Sequence, residues 1–160
     1  MRGGALPPAL ICAALGFALA YAPQRARLVS LGLLVLAAGA ASFLVLPTAW
    51  QDGIFLGCWA SVVLAALAIH LPRGVGPRLA AALALNSGLW AGAVIASAGS
   101  RWDLAKALPA VLLCFPAAWL VATRRGIAVK VAASWLIAIA ILAAALPLVP
   151  TPGYKPDHMD

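Results

Sequence analysis

Apolar residues fall into six long runs along the chain, at 6–21, 28–49, 54–71, 79–99, 105–122 and 128–149. Each approaches the roughly 20 helical residues that cross the hydrocarbon core of a bilayer. Between them lie APQRAR at 22–27, QDG at 51–53, LPRGVGPR at 71–78, GSRWDLAK at 99–106 and TRRG at 123–126. Gly, Pro and charged residues gather in these breaks, where helices end and turns begin. The pattern predicts an all-α integral membrane protein, a compact bundle of about six transmembrane helices arranged as three hairpins. Residues 1–149 form the membrane domain, and 150–160 a Pro-rich polar tail.

The charges between the runs supply a threading. Alternate breaks place Arg25, Arg27, Arg73, Arg78, Arg124, Arg125 and Lys130 on one side, seven of the eleven basic residues and no acid. The other side takes Arg2, Arg101, Lys106, Lys155 and all four aspartates. Short cytoplasmic loops are enriched in Lys and Arg, so the first side is expected to be cytoplasmic and both termini extracytoplasmic, in a plasma (inner) membrane of bacterial type. The first run allows an alternative: a short apolar stretch after Arg2, ending in Ala18-Leu19-Ala20, resembles a signal peptide. Cleavage there would turn the basic loops outward, against a bias that otherwise agrees at every loop.

Composition supports the membrane reading. The chain is 65% hydrophobic and 9% charged, with a mean hydropathy of +1.04. That is more apolar surface than a soluble core of this size can hide. The net charge of +7 does not indicate nucleic acid, because the basic residues are scattered between apolar runs rather than gathered on one solvated face. Cys12, Cys58 and Cys114 fall inside apolar runs without a CxxC or a histidine at ligand spacing, which is neither a disulfide framework nor a zinc signature. Segments 5–12 (ALPPALIC) and 107–114 (ALPAVLLC) match locally, and a parallel repeat stands beside chance similarity as an explanation.

The fourth run carries the most distinctive residues. Ala84, Gly88, Gly92 and Ala96 recur every four positions, a small-residue stripe that lets another helix backbone approach closely. Asn86 and Ser87 fall near the middle of the bilayer, where an amide must find a protein partner. They are expected either to join helices or to line a substrate path. The three cysteines, at similar depth in alternate helices, are ordinary buried residues or, if they converge, a soft site for a thiophilic metal. His70 is expected at a polar helix end, Trp50 and Trp102 at the interface. Trp59, Trp90, Trp119 and Trp135 are assigned to packing, and Pro109 and Pro116 to a kink or a late helix start.

The tail, PTPGYKPDHMD, holds two of the four acids. Asp157, His158, Met159 and Asp160 combine carboxylate, imidazole and thioether, a donor set for loose binding of a divalent or cuprous cation. Lys155, Arg101 and Lys106 share that face and offset its charge, so solvation or contact with a partner is the plainer expectation. No ionisable group lies securely in a membrane interior, where ion-coupled carriers keep one. No nucleophile–base pair or phosphate-binding loop is visible.

The resulting expectation is a non-enzymatic accessory or structural subunit of a larger membrane complex, docking through the small-residue face of the fourth run and the outer tail. Its partners are the lipid bilayer and a membrane protein or a second copy of itself, with no nucleic acid and no cofactor. The alternative is a small transporter component for a metal ion of iron or copper type, or for a neutral solute. The stretch WQDGIFLGCWASVVLAALAIHLPR (50–73) resembles small membrane proteins that accompany bacterial iron-uptake systems; the likeness covers one helix and its basic end, identifies no family, and colours only that alternative.

Overall fold

The computed structural model describes residues 4–72 and 74–146, which are mostly helical, with no strand among them. The helices are α1 (Leu6–Leu19), α2 (Gln24–Ala41), α3 (Gln51–Ala68), α4 (Pro77–Ala98), α5 (Arg101–Ala107), α6 (Cys114–Ala122) and α7 (Ile127–Ala145). Short 3₁₀ segments at Thr48–Trp50 and Leu108–Leu113 lead into α3 and join α5 to α6. Five stretches are long and apolar enough to cross a membrane: Gln24–Ala41, Thr48–Ala68, Pro77–Ala98, Arg101–Ala122 and Ile127–Ala145. The shorter α1 is the sixth apolar helix.

Local chemistry moves several boundaries from their expected places. The second run was read as 28–49, but α2 starts at Gln24 and stops at Ala41. Extended Pro23 (φ −57°, ψ 146°) presets the chain for a helix beginning directly after it. Further on, Pro47 disfavours the α conformation at the residue before it. QDG, read as a break, forms the first turn of α3, where Asp52 complements the positive end of the helix dipole. The fifth span starts at Arg101 rather than 105, because Ser100 and Asp103 form a reciprocal capping box. The expected kink is the 3₁₀ segment containing Pro109, which lacks the N–H an α-helix would use.

α1 lies at the centre of the bundle, against α3, α4, α7 and the whole of the fifth span. Ile11, Cys12, Ala14, Leu15, Ala18 and Leu19 are completely buried. With 14 residues it is only about 21 Å long, shorter than the hydrocarbon core, and its neighbours enclose it. At Gly16 a Cβ would stand 2.8 Å from the carbonyl oxygen of Val111, so only glycine lets α1 reach the 3₁₀ segment this closely. The matching segments 5–12 and 107–114 therefore belong to elements that pack together.

α2 packs most extensively on α4 rather than on its sequence neighbour α1. Gly88 lies against Leu34, Ala37 and Ala38, and Gly92, one turn on, against Ala38, Ala41 and Ser42. The contacts advance in the same sense on both helices, so α2 and α4 run parallel. α3 runs antiparallel to α4, with Gln51 opposite Ser97, Gly57 opposite Trp90 and Ser61 opposite Asn86. Adjacent-helix packing thus describes α3 and α4 well, while α1 and α2 each pack on α4 rather than on each other.

Two tryptophan expectations require correction. Trp59 is buried at 3% exposure, and the Trp90 ring covers Gly57, where a Cβ would fall inside the indole. Trp119 and Trp135, however, are 61% and 70% exposed on the outer surface. Periodicity gave no way to place them, because α6 and α7 are apolar on every side.

Candidate functional site

The mid-bundle polar group is built by α3 and α4. Asn86 donates its amide to the hydroxyl of Ser61 at 2.9 Å, and Ser61 is almost wholly buried. An apolar groove of about 430 Å³ between the two helices, lined by Leu64, Leu67, Leu79 and Leu83, reaches Asn86 from outside. Ser87, one position along, is fully buried with no hydrogen-bond partner among the described residues, and so is Ser30 on α2. A helical serine readily turns its hydroxyl to a carbonyl one turn back. Ser30, Ser61 and Ser87 are the buried polar residues among those described; none of them is charged.

The stripe Ala84, Gly88, Gly92 and Ala96 is occupied from within the chain. A Cβ on Gly88 would stand 2.7 Å from that of Ala37, and one on Gly92 2.6 Å from that of Ala41. Ala84 is fully buried and Ala96 partly so. The face therefore carries the α2–α4 contact. The three cysteines are buried and free, and all belong to one contiguous core. They form no cluster able to hold an ion, and no group of three His, Cys, Asp or Glu side chains does so among the described residues. Asp157, His158, Met159 and Asp160 lie outside the described residues.

The two ends of the bundle differ in chemistry. At one end the turns after α1, α3 and α6 meet around Tyr21. Its hydroxyl donates to the Gly126 carbonyl at 3.1 Å, and its own carbonyl lies 3.4 Å from where a Cβ on Gly74 would stand. Burial pushes the Tyr21 hydroxyl above its ordinary pKa, so it remains a neutral donor at physiological pH. Arg27 directs its guanidinium at the carbonyls of Leu19, Ala20 and Ala22. It thereby adds donors to carbonyls at and just beyond the end of α1, and places a cation at the negative end of the dipole. Arg25, Arg78, Arg124, Arg125 and Lys130 are exposed at the same end. His70 is also exposed there, its Nδ1 3.2 Å from the Ala66 carbonyl.

The opposite end carries Asp52 and Asp103. Gln51 donates to the Ser97 carbonyl at 3.1 Å, and the Arg101 guanidinium stacks 4.4 Å above the Phe43 ring. Trp50 and Trp102, the expected interfacial residues, are 62% and 76% exposed at this end. An open apolar groove of about 520 Å³ lies between Leu44, Trp50, Ile54 and Trp90.

Several structural residues had no distinctive signal in the sequence. Gly16 and Gly57 are single glycines outside any repeat, and their roles depend on which helices meet them. Arg27 looked like one of several loop cations. The capping box was legible as S-x-x-D at 100–103, a pattern hidden inside a stretch read as a break. No family model, curated protein or solved structure matches the chain.

Proposed function

We propose that this protein is a non-enzymatic accessory subunit of a membrane complex, acting through its outer surface rather than through its interior. The observation that carries this reading is the closed centre. α1 is enclosed, the small-residue face of α4 is filled by α2, and the central amide is committed to Ser61. A pathway for ions or polar solutes needs a continuous polar lining, and the buried polar residues described are three serines. Because α2 covers the stripe, docking falls to faces that remain open. The fifth span offers Leu112, Phe115 and Trp119, all exposed and spaced along one side. Large aromatic anchors of this kind dominate many interfaces.

In this reading the basic turns face the cytoplasm and both termini the outside, in a plasma membrane. Support comes from the parallel course of α2 and α4 and from the gathering of basic turns at the Tyr21 end. The second reading, a transporter component, is favoured by one observation: the buried, unpartnered Ser87 hydroxyl beside the Asn86–Ser61 pair.

The test is site-specific photo-crosslinking in the native membrane from Phe115 and Trp119, with buried Val62 as the control position. A stoichiometric membrane-protein adduct from the two exposed positions, lost on Trp119→Asp while the protein stays folded, is the expected result. Equal labelling from Val62, or lipid adducts alone, would sink the reading.

A further inference from the structure

We propose that the start of α7 forms a docking surface for an anionic phospholipid, with the headgroup at Arg124 and Arg125 and an acyl chain in the groove below. That groove, about 540 Å³ in volume, is lined by Phe17 of α1 and by Ile127, Val131, Trp135 and Leu136 of α7. From Ile127 to Leu136 it follows roughly 13 Å of helix, enough for much of a fatty-acyl chain. Its basic rim is the turn that leads into the groove: Arg124 and Arg125 precede the first lining residue, Ile127, whereas Lys130 projects from the other flank of α7.

Charge complementarity selects the occupant. Both arginines are exposed, unlike Arg27, which is committed to the end of α1. No acid lies in the first turn of α7, and the described aspartates, Asp52 and Asp103, are at the other end of the bundle. The Tyr21–Gly126 hydrogen bond holds the 123–126 turn against the end of α1, fixing the rim above the groove. The comparably large groove beside Trp50 sits at the end that carries the aspartates, a poorer environment for an anion. Lys and Arg near a membrane surface each favour anionic lipid, and here two arginines crown an apolar slot rather than a bare loop. The proposal rests on α7 spanning a membrane and not on any protein partner, so it stands or falls separately from the subunit reading.

The full chain, purified in a neutral detergent, is titrated with dioleoyl phosphatidylglycerol, dioleoyl phosphatidylcholine or inorganic phosphate. Native mass spectrometry counts retained lipid, and the thermal unfolding midpoint without lipid reads folding separately. The expected result is a preference of about tenfold or more for phosphatidylglycerol. It is lost in the Arg124→Gly, Arg125→Gln double variant and kept in the Arg25→Gln, Arg78→Gln double variant, which removes the same charge from the same end. Arg124 has a positive φ of 60°, a conformation glycine adopts freely, so the first double variant should fold as well as the parent chain. Equal loss in both double variants would reduce the effect to general surface charge and overturn the site. So would equal retention of the two phospholipids, and binding of inorganic phosphate alone would overturn the lipid assignment.

Discussion

A few side chains hold this fold where general apolarity cannot. Arg27 joins the start of α2 to the end of α1 through three carbonyls, and the planar fork of a guanidinium suits that task better than an ammonium. Arg27→Ala should lower stability by about 1.5–3 kcal/mol, the range for charged hydrogen bonds, and Arg27→Lys should restore little of it; thermal unfolding in detergent reads both. Arg124 supplies the opposite case. It occupies the left-handed position of a Schellman turn, in which Arg125 donates to the Leu120 carbonyl and Arg124 to that of Val121. Glycine is the usual residue there, so Arg124→Gly alone should raise stability by about 1 kcal/mol. That strained arginine is one of the two on which the proposed lipid site rests. Asn86→Leu should cost about 0.6–1.7 kcal/mol, the range for hydrogen bonds between membrane helices. A double-mutant cycle with Ser61→Ala isolates that coupling, and independence of the two sites would contradict the observed pair.

At the scale of elements, the α2–α4 contact depends on the absence of side chains. Adding bulk at Gly92 must push against Ala41 Cβ and the backbone nitrogen of Ser42, so Gly92→Leu should destabilise by roughly 1–3 kcal/mol or more. Gly39→Ala, with nothing within 4 Å of the added carbon, should be harmless by comparison in the same unfolding measurement. The stripe on α4 was legible in the sequence because four-residue spacing of small residues has a direct geometric meaning. Its partner was not: α2 and α3 are both apolar and alanine-rich, and nothing local says which one will lie against Gly88. The helix ends were missed for a different reason. QDG and RWDLAK are polar enough to read as breaks, yet an early aspartate and a capping box make each a sound helix start.

At the scale of the whole molecule, apolar run length made the five long apolar helices legible, with α1 a sixth, shorter one. The packing order was hidden in close approaches such as Gly16 to Val111 and Gly88 to Leu34. The segment most open to reading as a cleavable leader is the helix most enclosed by the others. Substituting Leu15, which is completely buried, by alanine should cost about 2–5 kcal/mol, whereas Leu36→Ala on the exposed face of α2, 71% exposed, should leave the unfolding midpoint nearly unchanged. The candidate chemistry was only partly legible for the same physical reason: an amide in an apolar run announces that it needs a partner, but not whether that partner is a helix or a solute. The most direct test of a closed bundle that works through its surface is purification in mild detergent through a tag in an internal loop, with mass spectrometry and elemental analysis of the same peak. The expected result is a stoichiometric membrane-protein partner and no stoichiometric metal. A lone protein carrying near-stoichiometric copper, iron or zinc would contradict it and direct attention to the cysteines and to Asp157, His158 and Met159.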